Sequence, residues 1–65
     1  MVESFRLKLA AIADIANMSL DDIVTMWKDY ARQCSVYDQS PALSEFLEWN
    51  FRETNVSMAQ LYEVI

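Results

Sequence analysis

The groups able to do chemistry in this chain are ten carboxylates, one thiol and a scatter of hydroxyls, with no imidazole to work beside them. A Ser or Cys nucleophile needs an adjacent base, and His normally supplies it. Cys34 falls on an apolar helical stripe, where a cysteine behaves as a small hydrophobe. One Cys and no His leave no Cys/His zinc set. The absence of Gly excludes a Gly-rich phosphate loop and removes the sharp turn that calcium loops use. The densest carboxylates are Asp21, Asp22 and Asp29. They fall in a helix first turn and on a polar helix face, where solvated, dipole-stabilising carboxylates belong. Four short helices around a full core also leave little concavity for a substrate. The expectation is a non-enzyme with no catalytic residues, no cofactor, no metal and no small-molecule substrate.

The elements that position these groups are read from turn chemistry and periodicity. Strand-rich small folds need Gly at tight turns, so a chain without Gly favours helices. Ser19 precedes Leu20-Asp21-Asp22 and is placed to cap the N–H of Asp22. Ser40 stands before Pro41, the preferred residue of a first helical position. Ser57 precedes Met58-Ala59-Gln60, the pattern of a capping box. Asn17 and Asn55 tolerate the left-handed conformation that closes a helix. These signals predict helices over 3–16, 20–34, 41–53 and 58–64, with a loop over 35–40. Apolar stripes recur at threes and fours: Phe5, Leu9, Ile12 and Ala16; Leu20, Ile23, Val24, Trp27, Tyr30, Ala31 and Cys34; Leu43, Phe46, Leu47 and Phe51; Met58, Leu61, Tyr62 and Ile65. The predicted fold is all-α, a compact bundle of about four short helices in a single domain spanning 1–65.

Helices 1 and 2 meet in a corner. Ala13 stands where crossing helices approach closely, Asn17 takes the turn, Met18 and Ile23 hold apolar positions, and Ser19 caps the second helix. The stretch Ile12–Met26 resembles a helix-turn-helix. That likeness implies a second helix able to enter a DNA groove by its N-terminal residues. Here those are Leu20, Asp21 and Asp22, and carboxylates at that position face phosphates. A shorter echo of the corner runs from Asn55 to Leu61.

A net charge of −5 repels phosphates and anionic lipid. Nucleic acid is therefore a disfavoured partner, and a membrane is not expected. The apolar run Leu9–Ala13 stops at Asp14 and is too short to span a bilayer. The expected compartment is the cytoplasm, with Cys34 reduced.

A 65-residue chain buries only about 60% of its unfolded surface, so small folds often need a staple. A lone cysteine cannot make an internal disulfide. Apolar residues make up 54% of the sequence, more than a small interior hides. Leu7, Ile15, Met18, Met26 and Trp49 fall outside the four stripes. Ile15 and Met18 serve equally well to widen the core. Trp49, Ala42 and Phe46 share an edge of helix 3 and, with Met26 and Leu7, are the expected partner-binding residues. Trp49 leads because Trp anchors carry disproportionate binding energy. The expected function is a protein–protein interaction module, a homodimer first and a contact to another protein second. The alternatives are a helix-turn-helix regulator acting at nucleic acid and an acidic inhibitor that imitates phosphate charge.

Overall fold

A computed structural model describes residues 3–65. The chain is all-helical: α1 (Glu3–Ala16), α2 (Leu20–Val36), α3 (Leu43–Phe51) and α4 (Met58–Glu63). Helix α1 packs on α2 and α4, and α3 packs on the same two helices. The body measures 29 × 27 × 19 Å. The contacts close a ring, α1 to α2 to α3 to α4 and back to α1.

The apolar stripes meet inside that ring. Leu9, Ile12, Ile23, Phe46, Leu47 and Leu61 are completely buried, with Ala13, Tyr30, Cys34 and Phe51 close behind. Each full burial of a large aliphatic or aromatic side chain stabilises the fold by about 1.5–3 kcal/mol. No polar or charged residue is buried among the described residues. The hydroxyl that Tyr30 brings to the core is bonded to Ala42 N–H and to Glu45. Phe5, Trp27, Phe46 and Phe51 form an edge-to-face chain with ring centroids 4.9, 5.3 and 6.3 Å apart. This chain bridges α1 to α3 through α2, although α1 and α3 do not touch as helices. Such pairs add about 0.5–1.5 kcal/mol each beyond the area they bury.

Two helices close without glycine by the same device. Met18 N–H donates to Ala13 O at 2.9 Å, and Asn17 N–H to Asp14 O at 3.2 Å. Asn17 has φ 57°. At the end of α2, Gln39 N–H donates to Cys34 O at 2.8 Å and Asp38 N–H to Ser35 O at 3.2 Å, with Asp38 at φ 56°. Both are Schellman closures, in which a left-handed residue turns the chain back over the last carbonyls. Asp38 supplies the second. Its closure lets α2 run to Val36 rather than stop at residue 34.

Helix α3 is shorter than the 41–53 expected. Its N-cap is Ala42, in extended conformation and with no side-chain cap. Ser40 and Pro41 remain outside the helix. The reason is tertiary: the hydroxyl of Tyr30 accepts the Ala42 N–H at 3.2 Å and takes over the role of the cap. Asn55 does not close α3 by a left-handed turn. Thr54 does the work instead, with its Oγ1 donating to Phe51 O at 2.8 Å and accepting from Val56 N–H at 3.3 Å.

The corner between α1 and α2 is built as the sequence implies. Ala13 and Ile23 are buried, Met18 packs against the core, and Ser19 Oγ accepts from Asp22 N–H at 3.1 Å. The echo is weaker. Ser57 caps Gln60 N–H at 3.3 Å, but the left-handed turn before it is missing. Ile15 and Met18 both join the core margin. No helix among the described residues is long and apolar enough to cross a membrane.

Candidate contact surface

The largest exposed apolar side chains near one another lie where the end of α2 meets α3. Tyr37 and Trp49 are each 70% exposed, and both line one open pocket of about 150 Å³. A cavity of roughly that volume admits a benzene ring, so it is wide enough for the head of a side chain. Tyr30 and Cys34, both buried, line it from the core side, and Gln33, Gln39 and Glu45 complete it. Glu45 is the single charged group among these residues.

Each wall follows from local structure. Tyr30 lies on the buried stripe of α2, and Trp49 leans over it with ring centroids 6.4 Å apart. Tyr37 is the C-cap of α2, and its N–H donates to Gln33 O at 3.2 Å. The Schellman closure then turns the chain away and leaves the Tyr37 ring in solvent. Glu45 sits in the first turn of α3, where the helix dipole favours a carboxylate. Its Oε2 accepts from the Tyr30 hydroxyl at 3.4 Å.

Burial is the main force holding the Tyr30 hydroxyl in its neutral form, above its ordinary pKa of 10.0. The Ala42 N–H pulls the other way, while the Cys34 thiol and Glu45 carboxylate add to the rise. Tyr62, on α4, is also raised, first by its hydrogen bond to Glu48 at 2.8 Å.

The five expected partner-binding residues separate in space. Trp49 is exposed at the pocket, and Ala42 is exposed at the start of α3. Phe46 is completely buried and packs on Trp27, Tyr30 and Phe51, so it offers no surface to a partner. Its position at the border of the α3 stripe drew it inward, because the aromatic chain needs a ring there. Met26 is half-buried against the core. Leu7 is 63% exposed, but it lies on the far side of α1 from the Leu9 and Ile12 stripe, and α1 does not touch α3. Leu7 therefore does not extend the Trp49 surface.

Tyr37 and Glu45 join the surface in their place. The sequence places Tyr37 in a loop, but α2 runs on to Val36 and carries Tyr37 as its C-cap to the pocket. The face of α3 was readable: Glu45, Trp49 and Arg52 are spaced by four and three and share one side of the helix. Arg52 keeps helical dihedrals of −58° and −39°, so the face continues to it. Its Nε stands 4.0 Å from Glu48, a loose, exposed pair.

Comparison with protein families, curated proteins and solved structures finds no match for this chain. No cluster of three or more candidate metal-binding side chains forms among the described residues.

Proposed function

We propose that this chain is a non-catalytic protein–protein interaction module that pairs with a second copy of itself through the exposed face of α3. The observation that supports this most is Trp49. A Trp held 70% exposed over an aromatic pocket costs hydration unless something covers it. The fold has no internal staple, since Cys34 is a free, buried thiol. A second copy is the cheapest way to add buried apolar surface to so small a core.

The interface is small by this reading. Helix α3 has nine residues and is about 13.5 Å long. With Tyr37 beside it, it falls at the low end of known interface sizes, which fits a weak, reversible dimer. The net charge of −5 on each copy acts in the same direction. A free thiol suits a reducing compartment, and we place the dimer in the cytoplasm.

Concentration-dependent NMR spectra test the proposal. Raising the protein concentration should shift the indole N–H signal of Trp49 and the amides of Tyr37 and α3. Trp27 should stay still, because its indole packs between Phe5 and Phe46. Spectra independent of concentration would refute self-association.

Contact with nucleic acid through the α1–α2 corner has little support. Asp21 and Asp22 are exposed at the start of α2, where a recognition helix would meet phosphates.

A further inference from the structure

We infer that the two copies cross with their α3 helices antiparallel, so that Arg52 of the second copy enters the Tyr30, Tyr37, Trp49 and Glu45 pocket and completes it as a cation site. This rests on the pairing proposed above and names its register.

Three observations lead to it. First, the pocket is chemically lopsided. Three aromatic rings and one carboxylate line it, and no cation does. Aromatic faces attract an ammonium or guanidinium within about 6 Å, most of all where water is partly excluded. Arginine suits such a place best, because its flat guanidinium stacks on an indole and also grips a carboxylate edge.

Second, a two-fold pair limits who can supply that cation. The same surface faces itself, so any residue entering the pocket must belong to the patch around it. Arg6, Lys8 and Lys28 lie on α1 and the middle of α2. Arg32 is held by Asp29 at 2.9 Å on the polar face of α2. Arg52 alone shares the Glu45–Trp49 face, and its link to Glu48 is loose at 4.0 Å. Glu48 already accepts from Tyr62 at 2.8 Å, so it is not orphaned when Arg52 leaves.

Third, the spacing is self-complementary. Glu45 and Arg52 are seven residues apart, about 10.5 Å along a helix, with Trp49 near the midpoint. A two-fold axis beside Trp49 sets each Glu45 opposite the other copy's Arg52. Both contacts form at once. A parallel crossing would set Glu45 against Glu45 and Arg52 against Arg52, which repel. The antiparallel register thus offsets the general repulsion between two acidic chains with two local attractions at its centre.

A charge exchange read by sedimentation equilibrium tests the register. Glu45→Arg and Arg52→Glu should each weaken the dimer roughly tenfold or more, since each sets like charges face to face. The double variant should return to within roughly threefold of the starting affinity. Dimerisation unchanged by either single exchange, or not recovered in the double variant, overturns the register while leaving the pairing itself standing. A wild-type chain that stays monomeric overturns both. Far-UV circular dichroism of each variant checks that it folds. If a charge exchange disrupts folding, a mixture of Glu45→Cys and Arg52→Cys chains replaces it. The mixed pair should oxidise to a disulfide-linked dimer faster than either variant alone, with the wild-type chain controlling for Cys34. Equal rates overturn the register.

Discussion

The hydroxyl of Tyr30 and the backbone nitrogen of Ala42 lie 3.2 Å apart, a single bond that ties the buried face of α2 to the first turn of α3. It satisfies an N–H at the start of α3 that Ser40 does not cap. Removing the hydroxyl in Tyr30→Phe leaves the Ala42 N–H without its partner. The loss should be about 1–2 kcal/mol of folding stability in urea titration. Amide hydrogen exchange should speed up at Ala42 and along the first turn of α3 rather than across the whole chain.

The caps make a sharper test, because one of them turned out not to be used. Ser19 and Ser57 accept from Asp22 and Gln60 N–H at 3.1 and 3.3 Å. Ser19→Ala and Ser57→Ala should each cost about 1 kcal/mol in thermal or urea unfolding. Ser40→Ala, at a Ser with the same apparent signature, should be neutral to within about 0.5 kcal/mol.

Asn17 and Asp38 hold left-handed backbone at φ 57° and 56°. Both do a job that glycine does without steric strain. Asn17→Gly and Asp38→Gly should each leave stability unchanged or raise it by up to about 1 kcal/mol, while Asn17→Ala and Asp38→Ala should lower it by about 1 kcal/mol. A loss on substitution by Gly would mean that the side chains, not the backbone geometry, hold these turns.

Two tyrosines contribute to a loss of stability at alkaline pH. Tyr30 and Tyr62 titrate higher in the folded chain than their ordinary value of 10.0, Tyr30 chiefly through burial and Tyr62 chiefly through its bond to Glu48. A folded pKa above the unfolded one means that the native state keeps protons the unfolded chain releases. Their contribution is therefore fully present below pH 10 and is lost as the pH rises beyond it. The unfolding midpoint in urea should fall above pH 10, and Tyr30→Phe should flatten that fall.

Much of this fold is written in local chemistry. The helical class, the stripes of the first three helices, the C-terminal end of α1, the Ser19 and Ser57 caps and the α1–α2 corner all follow from side-chain spacing and the hydroxyl or amide at each turn, whereas Tyr62 and Ile65 of the fourth stripe stay exposed. The errors lie where a distant residue overrules the local signal. Pro41 marks a helix start in isolation, but Tyr30, twelve positions before Ala42, bonds the N-cap there, and α3 begins at Leu43. Asn55 carries the conformational tolerance for a closure that Thr54 makes with its hydroxyl. Phe46 belongs both to the α3 stripe and to the Trp49 edge, and its packing on Trp27 decides for the stripe. For the contact surface, the exposure of Trp49 was readable from its place outside the stripe. The pocket was not, because Tyr37 reaches it only as α2 runs past residue 34 to Val36, and Tyr30 and Cys34 approach it from a different helix than Trp49.

In the proposed pairing, Trp49 anchors one copy to the other. Sedimentation equilibrium of the wild-type chain and Trp49→Ala, from about 1 μM to about 1 mM, tests it across the range that weak interfaces occupy. The wild-type chain should move from monomer to dimer over that range. Trp49→Ala should keep its helical circular dichroism and remain monomeric throughout, because a side chain 70% exposed contributes little to the monomer fold. A wild-type chain that is monomeric at the highest concentration, or a Trp49→Ala chain that dimerises as well as the wild type, would contradict the account.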